Sequence, residues 1–285
     1  MEVKVLTENT VYKRAFLGEH GLSLLIETEN QNYLFDMGQS DVFLRNGRKL
    51  QVDWETLDGV VLSHGHYDHC GGMNYWKNVQ EVSENRKREI PIYIAREALE
   101  DKYSENPSTG EMLFSGIPRE AKRWMQESAN IIYTEKGCTQ ISDNVYLLSD
   151  VPYITEFEPL PVRFWKEKMP GADLEADTME DEQLLVIREE KGLCVFAGCA
   201  HAGIINCLNY VQASFPGERI HSLVAGMHLK GCSSRRLAST IQALRETEAD
   251  IIVPLHCTGL TAIAAICQAM PDVCILAETG KKIQL

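Results

Sequence analysis

The stretch Val60-Val61-Leu62-Ser63-His64-Gly65-His66-Tyr67-Asp68-His69-Cys70-Gly71-Gly72 constrains this chain more than any other. Its apolar start reads as a buried strand. Three of the chain's eight histidines and one aspartate follow within six residues. Side chains alternate along a strand, so His64 and His66 project from one side while the chain runs extended. Gly71 and Gly72 then give the backbone freedom to turn beside a crowded site. Asp68 and His69 are adjacent and diverge in direction, which suits a second cation better than the first. Imidazole and carboxylate are ligands of zinc, iron and manganese, and two such ions about 3.5–4 Å apart form a hydrolytic arrangement. A surface loop rich in histidine by chance is the competing reading, and the concentration of so few histidines here argues against it.

Composition narrows the partners. No Pro/Ser-rich linker divides the 285 residues, so one domain spanning 1–285 is expected. Lys and Arg total 28 against 41 Asp and Glu, a formal charge of −13. Such a chain is a poor partner for a nucleic-acid backbone and a better one for a small-molecule substrate. A buried pair of cations can still attract an anionic molecule, because local charge decides there. Among the nine cysteines, Cys194, Cys207, Cys267 and Cys274 sit in apolar or helical surroundings and read as free, small buried hydrophobes. There is no C-x-x-C pair, and the odd total does not fit a closed disulfide framework. The first residues, Met1 to Leu6, read as a strand rather than a signal peptide, and no run nears the roughly 20 apolar residues of a membrane helix. A soluble cytoplasmic protein with no membrane partner is expected; composition says nothing of its oligomeric state.

In chain order, Val3 to Leu6 reads as a strand, and Leu22 to Thr28 with Asn32 to Asp36 as a hairpin around Glu29-Asn30-Gln31. Asp36 closes that hairpin, either as a turn cap or as a carboxylate supporting a ligand histidine. A helix follows from Asp41 to Asn46, then the strand into the histidine loop. An amphipathic piece, Met73 to Val82, precedes a charged bend, Ser83 to Glu89, and a strand, Ile90 to Ala95. Arg96 to Tyr103 reads as helix and Ser104 to Gly110 as loop. The segment 104–130 is a candidate lid, with Met112, Leu113, Phe114, Trp124 and Met125 beside Arg119, Lys122 and Arg123. Apolar surface with a few cations suits a flat, anionic ligand, although the same side chains could simply pack on the core.

Strands at Ile131 to Tyr133 and Val145 to Leu148 should begin a second half. Pro152 to Pro170 is irregular. Asp181 to Ile187 and Leu193 to Ala197 read as a hairpin, followed by a helix from Gly203 to Phe215. Next come a strand His221 to Ala225, a helix Ser233 to Thr247, a strand Ile251 to Pro254 and a helix Thr261 to Ala269. Val273 to Ala277 and Lys282 to Leu285 are expected to close the second sheet. Every late histidine except His221 then lies just past a strand end, where ligands gather in α/β folds. His221 and His20 read as structural or exposed.

The run His64-x-His66-x-Asp68-His69 after a strand, with Leu34-Phe35-Asp36-Met37-Gly38 upstream, resembles the signature of the metallo-β-lactamase superfamily. Three phrases are similar to a branch of it, the dihydropterin-methyl-aminobenzene-phosphate synthases and their bacterial relatives. They are Ser63 to His69, Gly198-Cys199-Ala200-His201-Ala202-Gly203-Ile204-Ile205-Asn206, and Pro254-Leu255-His256-Cys257-Thr258-Gly259. The resemblance runs over nearly the whole chain and implies an α/β, four-layer αβ/βα sandwich in a single domain. It does not fix the reaction, since one fold hosts many chemistries.

The resemblance also implies a ligand set, from which this chain departs twice. The superfamily supplies a further histidine after the first loop, yet no histidine occurs from Cys70 to Ala200. The position of its bridging aspartate is Cys199. The economical repair places His201 beside His64 and His66 on one metal, with Asp68, His69 and His256 on the second; Cys199 bridges, binds one ion or packs. His228 is expected to serve substrate or proton transfer, or to be structural. The two divalent ions are expected to be zinc, since iron oxidoreductases of the superfamily carry glutamate where this chain has His66; iron, manganese and nickel are admitted by the same ligands. The leading expectation is a metallo-hydrolase that turns a metal-activated water on an ester or phosphoester, with Asp68 orienting the water. The branch implies an alternative, displacement of diphosphate from a pterin-methyl diphosphate by an aromatic nucleophile. A metal-bound sensor or scaffold is the rival outside enzymology, disfavoured because more donors are present than the four that close a structural zinc.

Overall fold

Val60 and Val61 are fully buried, as are Ile92, Ile94 and Ala95 of the next strand, and β-branched runs of this kind belong in the parallel interior of a sheet. The computed structural model describes residues 1–82, 89–169 and 171–285; all of the charged bend but Glu89 lies outside the described residues. Two compact units divide the chain. The first comprises Met1–Thr134, Val162–Asp181 and Glu278–Gln284; the second comprises Glu135–Pro161 and Glu182–Ala277, with Leu285.

The first unit holds a seven-stranded sheet in the order Lys282–Gln284, Glu2–Thr7, Ser23–Glu27, Asn32–Phe35, Gly59–Val61, Ile92–Ala95 and Ile131–Thr134. Its first four strands are antiparallel and its last four run parallel. The expected hairpin is present, with Leu24 opposite Phe35. The helices Val42–Lys49 and Met73–Val82 both turn aromatic or aliphatic residues inward. Phe43, Trp54 and Trp76 meet there, with the Trp54 and Trp76 centroids 5.6 Å apart and edge-on. Burying a side chain such as Phe43 contributes about 1.5–3 kcal/mol.

Several expectations change in this unit. Arg96 to Tyr103 is not a helix: one 3₁₀ turn, Arg96–Leu99, gives way to the strand Asp101–Glu105. That strand pairs with Phe164–Glu167 and with Met112–Phe114 in a small antiparallel sheet that Glu175–Ala176 completes. Long-range pairing overrides local helix preference here. Part of the irregular stretch before Pro170 is therefore strand. Ile131–Thr134 belongs to this first sheet and not to the second half, and Lys282–Gln284 pairs with Glu2–Thr7 rather than closing the second sheet.

The second unit is built on a six-stranded sheet, ordered Ile251–Leu255, Ile220–Gly226, Gly192–Ala197, Gln183–Glu189, Val145–Ser149 and Gly137–Ser142. The first three strands are parallel and the rest antiparallel. Gly137–Ser142 carries too few apolar residues to have announced itself. Helices Ile204–Ser214, Ser234–Glu246 and Leu260–Ala269 follow the three parallel strands. Val273 to Ala277 makes an isolated bridge, Ile252 with Cys274, in place of a strand.

Cys267 and Cys274 correct the reading of both as free thiols: they are disulfide-bonded, with Cα atoms 5.2 Å apart. After the helix ends at Ala269, the Cys274 amide bonds back to the Met270 carbonyl. That return brings two cysteines together at a separation of seven residues, which no short motif signals. Cys194 and Cys207 are buried free thiols, as expected. No helix among the described residues is long and apolar enough to cross a membrane.

Candidate metal centre

His66 is the last extended residue of its loop, and the helical turn Tyr67–Cys70 starts directly after it. His66 thus leaves an extended backbone and Asp68 and His69 a helical one, while His64 stands on the bend before them; the four side chains gather in one cluster. The ring of His64 lies 4.6 Å from that of His66 and 4.2 Å from that of His69. Asp68 Oδ2 is 3.9 Å from His69 Nε2. All four side chains are buried.

Asp36 supports this cluster instead of capping a turn. Its buried carboxylate accepts from the Ser63 amide at 2.7 Å, from Ser63 Oγ at 2.7 Å and from His69 Nδ1 at 2.6 Å. A carboxylate only accepts, so His69 carries its proton on Nδ1. Ser63 Oγ has given its hydrogen to Asp36, and at 2.9 Å it accepts from His64 Nδ1. In their neutral forms both rings therefore present the lone pair of Nε2, the form that binds a metal. Asp36 itself adopts φ 57°, a left-handed backbone uncommon outside glycine.

A second buried network braces the loop from the other end. The Gly65 amide donates to Asp181 Oδ2 at 2.7 Å, and Lys102 Nζ donates to Asp181 Oδ1 at 2.9 Å and Asp177 Oδ2 at 2.6 Å. Lys102, Asp177 and Asp181 are almost wholly excluded from solvent. Position 65 must be glycine, because a Cβ there would collide with the Ala98 backbone. Burial pushes the His66 imidazole down to about 4, and the Lys102 ammonium pushes the same way, so His66 is the neutral ligand form at neutral pH. Against the upward push of burial, Lys102 and His66 hold the Asp181 carboxyl below its ordinary range. The His66 ring is stacked on Phe164 at 5.2 Å.

The candidate lid separates into two parts. Ile117 and, from the helix Arg119–Ser128, Ala121 and Met125 are buried in the core, and Trp124 packs against it. Leu113 and Phe114 stay exposed. Arg119 and Lys122 both pair with Asp101, so these cations are already engaged within the unit.

In the second unit the candidates leave three parallel strand ends. Cys199 and His201 follow Gly192–Ala197, His228 follows Ile220–Gly226, and His256 follows Ile251–Leu255. All but the half-buried His228 are buried. Each loop turns through a non-glycine residue with positive φ: Ala200 at 49°, His228 at 45° and His256 at 53°. Such residues cost on the order of 1 kcal/mol or more and persist where surrounding structure holds them. Glu182 does part of that holding, accepting from the His201 amide at 2.6 Å and the Ala202 amide at 2.8 Å. Glu158 caps the next helix through the Ile205 and Asn206 amides at 3.0 and 2.8 Å. The rings of His201 and His228 are 4.5 Å apart.

His221 is structural, its Nδ1 2.7 Å from Asp250 Oδ2. His20 is exposed, one of the two readings given to it, and its Nε2 lies 3.3 Å from Asp68 Oδ2. Lys102, Asp181, Glu182 and Cys257 also belong to the ligand loops or their supports and were not singled out from sequence. The adjacent acids Asp181-Glu182, directly before an apolar strand, were the available signal. Buried imidazoles, a carboxylate and thiols are a donor set that fits divalent transition metals.

The sequence model of the metallo-β-lactamase superfamily matches residues 18–137, which include the histidine loop. An uncharacterized protein of Methanocaldococcus jannaschii is 32% identical over 93% of this chain and 94% of its own length. From the same organism, 7,8-dihydropterin-6-methyl-4-(β-D-ribofuranosyl)-aminobenzene-5'-phosphate synthase is 27% identical over 88% of this chain and 85% of its own. The crystal structure of a metal-dependent hydrolase of the β-lactamase superfamily covers 100% of this chain and 99% of its own, with 30% identity and a TM-score of 0.83. The fold expected from the histidine loop is the one found, and the chain belongs to the metallo-β-lactamase superfamily.

Proposed function

We propose that this protein is a metal-dependent hydrolase acting on an ester or phosphoester of a small anionic or aromatic molecule. The observation that carries the reading is the Asp36–Ser63 relay, which turns the Nε2 lone pairs of His64 and His69 outward in a buried cluster. A polar surface loop has no use for such support. The proposed ligands are His64, His66, Asp68 and His69 from the first unit and Cys199, His201 and His256 from the second, holding two divalent cations, zinc by preference. When bound, such ions supply Lewis acidity and an activated water. Asp68, tied to His20 at 3.3 Å, would orient a water in the site and hold its proton. His228 carries a proton toward the leaving group.

A second reading, condensation of a pterin-methyl diphosphate with an aromatic amine, is favoured by the 27%-identical synthase. Within the first unit Arg119 and Lys122 are paired with Asp101, so the leaving phosphates would depend on bound cations for neutralisation.

Metal content of the supplemented protein, measured beside a panel of ester and phosphodiester substrates, separates the readings. Hydrolysis that disappears in the variant combining His64→Ala with His66→Ala supports the hydrolase. Diphosphate release only when pterin diphosphate and an aromatic amine are both present supports the synthase. Bound metal with neither activity points to a sensor or scaffold. Less than about half an equivalent of any transition metal removes all three.

A further inference from the structure

Cys257 adjoins a ligand candidate but has no place in the site proposed above. Its sulfur, the sulfur of Cys199 and one ring nitrogen of His228 all lie within 4.8 Å of one another, and all three belong to the second unit. Tetrahedral coordination with metal–sulfur bonds of about 2.3 Å and metal–nitrogen bonds of about 2.0–2.1 Å needs donor separations only a little shorter than this. The three side chains leave three different strand ends, so their meeting is a product of the fold and not of sequence proximity.

The backbone keeps the sulfur of Cys257 in place. The His228 amide donates to it at 3.3 Å, and its own S–H points to the Cys199 carbonyl at 3.5 Å. Gly226 makes room for it: a Cβ at that position would come within 2.8 Å of the same sulfur. On either side, His228 and His256 hold left-handed backbone conformations that turn the loops toward the cluster. Cys199 and Cys257 are buried, whereas His228 is half-buried and gives the cluster a side open to solvent.

We propose that Cys199, Cys257 and His228 form a soft-metal site, two thiolates and one imidazole, that binds a thiophilic divalent cation of the zinc class with a fourth position open. Two protons leave the thiols as the cation binds. Thiolate donors select zinc-like ions over the hard cations that carboxylates prefer. The site goes beyond the histidine–aspartate ligand set, with which it shares Cys199, and a cation bound there would take His228 out of the proton transfer proposed above.

Co²⁺ is the probe, added to the full-length chain and followed by its near-ultraviolet thiolate-to-metal absorption. Wild type is expected to show that band, and Cys257→Ser to lose about half of it and to bind Co²⁺ more weakly by about tenfold or more. The variant combining His64→Ala with His66→Ala, which dismantles the hydrolytic set, should keep the band; this separates failure of the thiolate site from failure of the hydrolase reading. Alkylation of wild type, mapped by mass spectrometry, needs no variant. Zn²⁺ should slow modification of Cys199 and Cys257 while leaving the exposed Cys138 unchanged. A band of full intensity in Cys257→Ser, its loss in the double histidine variant, or equal alkylation of Cys257 with and without Zn²⁺ would overturn the proposal.

Discussion

The two units present their donors from different amounts of chain. In the first, four donors come from one loop of six residues, and buried carboxylates brace that loop: Asp36 holds Ser63 and His69, while Asp181, tied to Lys102, holds the Gly65 amide. In the second, donors come from three strand ends, and each loop is shaped by a residue in a left-handed conformation. A short loop has little backbone freedom to spend, so precision must come from side chains outside it. Loops that leave parallel strands are already aligned by the sheet, and one left-handed residue turns each of them, with Glu182 bracing the first through the His201 and Ala202 amides.

The comparison extends to charge. The first unit neutralises Lys102 with two aspartates in the protein interior; the second sets Asp250 against Arg219 and His221 near the surface. Buried and exposed ion clusters should respond very differently to the loss of one member. The largest effect is expected for Lys102→Met, which strands two buried carboxylates and should destabilise the fold by about 3–5 kcal/mol in chemical denaturation. A loss below about 1 kcal/mol would show that this network is no more demanding than a surface pair.

Asp36→Asn comes next. An amide cannot accept all three of its hydrogen bonds with the same strength, and its NH₂ would face protonated donors. Metal affinity is expected to fall by about 10–100-fold in competition with a chelator, with the fold retained by circular dichroism. Unchanged affinity would mean that the loop needs no bracing.

The smallest effect is expected at Asp250. Hydrogen bonds from Arg219 and then His221 hold its carboxyl down at about 2. A carboxyl depressed in the folded state contributes stability above its unfolded pKa and loses it as pH falls through the folded one. The contribution is therefore present above pH about 4 and gone near pH 2. Because the side chain is nearly half exposed, Asp250→Asn should cost no more than about 1 kcal/mol at pH 7. The difference between variant and wild type should vanish at the acid end of a pH series of urea melts; a gap that persists there would assign the loss to packing.

What could be read from the residues follows the same division. His64 to His69 was legible because its donors are contiguous and its strand is a simple apolar run. His201, His228 and His256 were legible as strand-end residues, since the hairpin and the helix-separated strands of the second unit show their periods plainly. Lys102 was not, because a lysine in an amphipathic stretch reads as solvated, and only the pairing of Asp101–Glu105 with Phe164–Glu167 buries it. The Cys267–Cys274 bond and the small sheet were hidden for the same reason: they depend on where distant or reversing segments return, which local pattern does not encode.

The pairing of Lys282–Gln284 with Glu2–Thr7 bears on how the chain is made. Glu2–Thr7 can join Ser23–Glu27 soon after both are made, but its other edge must wait for a strand that follows more than 270 residues later. At about 5–20 residues per second that delay is roughly 15–55 s, during which a buried-type strand offers open hydrogen-bonding groups to any neighbouring chain. Lys4, gripped by Glu27 at 2.6 Å, stands on that strand. A charge at this position discourages intermolecular pairing during synthesis.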